Sequence, residues 1–238
     1  MTRTIKLRVR RPGICGAIAL AFCTQHLLCA GTFSLPLHST NGWQLLHYRK
    51  IPPNTFRATP AGLEISVTNS AAPAVFPLTN RLQVSQLRVS GNIVGSLHIP
   101  PGKQGEKGYD DFAIRVGLVE PGSRTLSWRE KLVSADWVKK LYALAPPGTG
   151  ISRIHFFNVG LDQNQIGHSR THPLSPLLQE TIVAVPDATG HFAFTSHFTP
   201  PVIVLAVWIS SDGDDTKSSF AVTLDTVEFE TLPAAVDK

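Results

Sequence analysis

The chain has 238 residues, 42% of them hydrophobic and 16% charged, with 22 Lys and Arg against 17 Asp and Glu and three cysteines. All three cysteines (Cys15, Cys23, Cys29) and the five surplus cations lie in residues 1–30, which leaves 17 cations against 17 acids in the remainder. Beyond that leader there is no disulfide, no thiol for catalysis or metal binding, and no basic excess to attract nucleic acid, so stability must come from an ordinary core.

The leader has the parts of an export signal. Arg3, Lys6, Arg8, Arg10 and Arg11 precede an apolar run from Ile14 to Ala30. That run is interrupted by Thr24, Gln25 and His26, and it is short for a membrane span. Small residues at Cys29, Ala30 and Gly31 suggest cleavage after Ala30, with an uncleaved anchor as the alternative. The expected location is the periplasm or the exterior, without stable membrane insertion after cleavage.

From Gly42 the sequence reads as one all-β domain over residues 42–231, because short runs of period two alternate with Pro, Gly and Asn clusters. Leu63, Ile65 and Val67 share one face of a strand, and Phe112, Ile114, Val116 and Leu118 share one face of another. The loop from Pro100 to Gly108 is expected at the surface. Residues 134–144 have helical spacing at Trp137, Val138, Leu141 and Leu144, with Ser134 suited to the N-cap and Pro146 closing the segment. A second surface loop follows from Gly160 to Pro176. Phe192, Phe194 and Phe198 alternate with polar residues, whereas Pro201–Ser210 is apolar on both faces, as in a covered strand. In the last strand, Phe220, Val222 and Leu224 differ in parity from Val227 and Phe229, which predicts a β-bulge near Asp225 and Thr226.

Three segments together resemble the bacterial domain-of-unknown-function family 3047: Gly108–Val119 (GYDDFAIRVGLV), Val138–Gly150 (VKKLYALAPPGTG) and Val207–Phe229. The resemblance implies an exported, jelly-roll-like antiparallel β-sandwich and no established reaction. Aromatic residues expected before the paired aspartates are absent from Val94–Ile99. With the one short helix, the expected architecture is therefore an all-β sandwich.

Candidate ligand-binding residues are Asp110, Asp111, Arg115 and Trp208. On a straight strand Asp111 and Arg115 share a face about 13 Å apart, too far to pair, so they suit separate polar groups of an extended ligand or ion pairs with neighbouring strands. Asp212, Asp214 and Asp215 cluster in a turn and suit a hard cation, calcium first, although aspartate also stabilises turns by itself. No other cofactor is expected. His168 and His172 read as a solvated loop pair. His191 and His197 are about 20 Å apart along one strand and read as polar lining. Glu228 and Glu230 read as the exposed side of a terminal edge strand. No catalytic residue is assigned, and GxSxG, phosphate-loop and HExxH motifs are absent. The expectation is a non-enzymatic module binding carbohydrate or another polar envelope ligand. A hydrolase or lyase acting on polysaccharide and an envelope interaction scaffold are the alternatives.

Overall fold

The computed structural model describes residues 31–134, 136–173 and 175–233; the expected export signal at residues 1–30 lies outside them. In chain order the strands are β1 Gly31–Ser34, β2 Gln44–Leu45, β3 Thr55–Thr59, β4 Gly62–Thr68, β5 Ala71–Ser96 and β6 Ile114–Gly122. Two short helices follow, α1 Trp128–Val133 and α2 Asp136–Tyr142. Strands β7 Gly150–Val159, β8 Ser169–Thr171, β9 Leu178–Ala184, β10 His191–Asp212 and β11 Ser219–Leu232 complete the chain.

The expected β-sandwich is present, built from one continuous hydrogen-bonded sheet that folds over on itself. Strands β5 and β10 are 26 and 22 residues long, and each runs through both layers. Their outer parts pair as His191–Val204 with Leu82–Asn92 and join β11, β4 and β3. Their other parts pair as Ala206–Asp212 with Ala71–Pro77 and join β6, β7, β9 and β8. Two register shifts in β10, between His197 and Val202 and between Val204 and Ala206, mark the crossing. The second shift moves the core-facing set from Val204 to Val207 and Ile209, which is why this strand reads as apolar on both faces. Pairing is antiparallel except for β7 with β9, which is parallel.

The alternation read from the sequence fills the space between the layers. Leu63, Ile65, Val67, Val222, Leu224 and Phe229 meet Ile114, Val116, Leu118, Phe157 and Val207 in one core. Several of these are fully buried, each worth roughly 1.5–3 kcal/mol relative to exposure. The bulge in β11 falls between Leu224 and Thr226, as the parity change predicts. The sandwich begins earlier than Gly42, however: β1 pairs with β11, and Leu35 and Leu37 enter the core. Strand β11 is also interior, flanked by β4 and β5, rather than a terminal edge. Its Glu228 and Glu230 face Arg88 at 2.7 and 3.8 Å.

The single expected helix is two. Ser134 closes α1 as its C-cap, and the N-terminal device is Ser127 with Glu130, a reciprocal capping box. Helix α2 lies on the outer face of the second layer, where Leu141, Trp137 and Leu144 pack with Val119, Phe156 and Trp208. Gly117 makes room there, since a Cβ on it would lie 2.6 Å from the Phe156 ring.

Candidate functional site

The same outer face changes character one step along the strands. Arg115 of β6 stands opposite Ser210 of β10 on one side and Asn158 of β7 on the other, and Asn158 stands opposite Ile182 of β9. Period two therefore brings Arg115, Ser210, Asn158 and Glu180 to the face that carries Trp208 and Phe156. Beyond the helices this face is covered by the loops before β6 and around β8.

Arg115 is 9% exposed and ion-paired to Asp212, which is 6% exposed. Its Nε lies 3.4 Å from Glu180, and its Nη2 donates to the Asp110 carbonyl at 2.7 Å and sits 3.6 Å from the Asp110 carboxylate. Arg170 of β8 adds a second cation. Its Nε donates to Glu180 at 2.7 Å, and it also reaches the Asp110 carboxylate and the Gly105 carbonyl. His172 Nε2 lies 2.9 Å from the other Asp110 oxygen. Three carboxylates thus share two guanidinium groups, and the pairing compensates charges that would be costly to bury alone. Burial pushes the Asp110 carboxyl upward, but the His172 hydrogen bond and the Arg115 and Arg170 charges outweigh it and leave the group below its ordinary value.

Asp111 turns the other way. It is 1% exposed, and its Oδ2 accepts from the Thr216 amide at 2.8 Å and the Thr216 hydroxyl at 2.6 Å. Strand β6 begins only at Ile114, after a bend at Ala113, and Asp110 rather than Asp111 reaches Arg115. The straight-strand expectation failed at that bend. Tyr48 joins the region from below: burial raises its hydroxyl to about 12, with Arg115 lowering and Asp214 raising it. Its ring packs edge-on to Trp137, 5.8 Å between centroids, and Trp137 packs in the same way on Trp208.

Beside this network lies a cavity of about 600 Å³, within the range of small-molecule sites. Its walls come from the loop around Gln104 and Gly105, from Gln165 to Arg170, and from Asn158, Glu180 and Ile182. The Gln104 loop is anchored rather than free at the surface. Gln104 is 7% exposed, donates to the Asp111 carbonyl at 2.9 Å and accepts from the Leu161 amide at 2.8 Å. Asn158 is fully buried, and neither its amide nitrogen nor its amide oxygen has a partner among the described residues. The Gln165 Oε1 is likewise unpartnered. Buried polar groups are nearly always satisfied, so these three atoms leave unmet hydrogen-bonding capacity at this wall.

Asp110, Asp111, Arg115 and Asp212 converge in space, but they spend their charges on one another and on Thr216. Trp208 is 3% exposed, clasped by Trp137 and Phe156, so it is a core ring and not an open contact for a ligand. His172 is bonded to Asp110 and is not solvated, while His191 and His197 are exposed on a sheet face as expected. The acidic turn divides: Asp212 points to Arg115, Asp215 is exposed, and Asp214 is part-buried. Burial raises the Asp214 carboxyl, helped by the charge of Asp111. Among the described residues the group suited to a metal is instead Asp110, His172 and Glu180, whose ligand atoms lie within 4.8 Å of one another. Both of its carboxylates already hold guanidinium groups, which compete with a cation for the same oxygens. No local pattern in the sequence marks Arg170 and Glu180. Asn158 did leave a trace, as the polar residue in an otherwise apolar FFNV.

No family model matches the chain, and no curated protein matches it. Among solved structures it is similar to a xylan-binding module CBM15 at 9% identity and a TM-score of 0.36, over 87% of this chain and 100% of that one. The module's ligand is a property of that protein; function here has to be read from the site itself.

Proposed function

We propose that the protein is a non-enzymatic binding module of the bacterial envelope that takes a carbohydrate, or another polar ligand rich in hydroxyl groups, in the cavity beside the Arg115 network. The observation that carries this is the buried Asn158 amide, unpartnered at both ends, with the unpartnered Gln165 oxygen on the same cavity. An amide offers donors and an acceptor together, which is the pattern a hydroxyl, itself donor and acceptor, can answer directly or through one water. The carboxylates that line the cavity are engaged: Glu180 with Arg170 and Arg115, and Glu106 with Lys103 at 3.0 Å. Paired in this way they favour holding a neutral ligand over acid and base chemistry, which requires one carboxyl to keep its proton.

The test is calorimetry and a glycan array with two variants. Ser169→Trp fills the mouth from an exposed position, and Gln165→Ala removes the free acceptor. Binding should be abolished by the first and weakened by the second, with melting temperatures unchanged. Silence of the parent across neutral polysaccharides, or full binding by Ser169→Trp, overturns the proposal.

A further inference from the structure

Helix α1 displays apolar side chains outward. Trp128 is 67% exposed, Leu132 71% and Val133 85%, whereas the other exposed large apolar residues, Val94 among them, are scattered singly. Trp128 and Leu132 are one turn apart and share a face. The display is held in place, because Ser127 and Glu130 cap the helix reciprocally and Ser134 returns its amide to the Glu130 carbonyl at 2.8 Å. A chain with a continuous core has no folding reason to expose a tryptophan, a leucine and a valine within one six-residue helix, and such clustering marks a contact surface.

Charge indicates what meets it. Between residues 124 and 140 the sequence holds five cations against two acids, although the chain beyond residue 30 is balanced. The Arg129 guanidinium stands 5.4 Å from the Trp128 ring, and Arg124 stays exposed with a loose 3.8 Å approach to Glu130. A turn that pairs an indole and two aliphatic chains with the exposed Arg124 and Arg129 fits the boundary of an anionic bilayer. There the indole sits among headgroups, the aliphatic chains reach the acyl region, and the cations meet phosphate. A protein partner is less well matched, since a stable protein interface needs roughly 800 Å² from each side and one six-residue turn offers far less.

We infer that α1 is a peripheral membrane contact, through which Trp128, Leu132 and Val133 dock the sandwich on the surface of an anionic phospholipid bilayer. The contact made by α1 is shallow adsorption at the bilayer surface. The ligand binding of the cavity does not require it.

The full chain is mixed with vesicles of phosphatidylglycerol and phosphatidylethanolamine, or of phosphatidylcholine alone, and partitioning is measured by sedimentation. Residues 1–30 carry an apolar run of their own, so the readout is the difference between parent and variant. The parent should prefer the anionic vesicles, and less so as salt is raised. Trp128→Ser with Leu132→Ser should lower that partitioning roughly tenfold without altering circular dichroism. Brominated lipid should quench a component of the parent's tryptophan fluorescence that is missing in Trp128→Phe, which still adsorbs. Equal partitioning by parent and double variant, or quenching that survives Trp128→Phe, overturns the inference. So does a double variant that loses self-association while its vesicle binding is unchanged, because the patch would then belong to a second copy of the chain.

Discussion

The Arg115 network and the cavity next to it are built from the same strands and loops, yet they treat polar groups in opposite ways. In the network, carboxylates are gathered around guanidinium groups that neutralise their charge, even where Arg115 Nε and Asp212 Oδ1 make no hydrogen bond, and the buried Asp111 is satisfied by Thr216. One strand position away, on β7, an amide is buried with both ends unpaired. Closed polar clusters rigidify a fold, whereas an open one costs stability and is retained where something else completes it. The charges that stand out in the sequence therefore serve as scaffold, and the candidate for recognition is an uncharged neighbour.

Breaking the closed side should produce the largest effect. Arg115→Leu strands Asp212 in the interior, while Glu180 keeps Arg170, and should cost about 3–5 kcal/mol, measured by urea denaturation of the purified chain. A loss below about 1 kcal/mol would mean that the network contributes little and that its charges are free for other work. On the open side the sign should reverse. Asn158→Leu replaces an unsatisfied amide with an apolar group of similar shape, so the free protein should gain about 1–2 kcal/mol while ligand binding is lost. Destabilisation by this change would show that the amide is already satisfied without ligand.

The smallest effect lies at the junction of the two regions. The Asp110 carboxyl is held below its ordinary value in the folded state, so its stabilising contribution is complete above that ordinary value and is lost as pH falls through the depressed one. The gap in melting temperature between the parent and Asp110→Asn should accordingly persist from neutral pH down to about pH 5 and close below about pH 4. A gap unchanged at about pH 2 would remove Asp110 from the ion network.

Much of the fold was legible because period-two burial is a local signal: Leu63, Ile65 and Val67, the Ile114–Leu118 alternation and even the parity change at Asp225 sit where the sequence puts them. The site was legible only as a neighbourhood. Arg170 and Glu180 reach Arg115 through the parallel pairing of β7 with β9 and the short β8, a long-range arrangement that no local period encodes. The bend before Ile114 exchanged the roles of Asp110 and Asp111. Trp208 was misjudged for a related reason, since α2 covers the outer face on which it stands. Helix α1 was missed although Ser127 and Glu130 spell its capping box, because its apolar residues face solvent and leave no buried stripe to detect.

Strands β5 and β10 pass from one layer into the other as unbroken backbone. Two sheets joined only by loops could gape like covers on a hinge, but here that movement would have to tear ladder bonds along both threads at once. Any adjustment to an incoming molecule is thus left to the segments lying over the outer face, while the interior stays dry and shut.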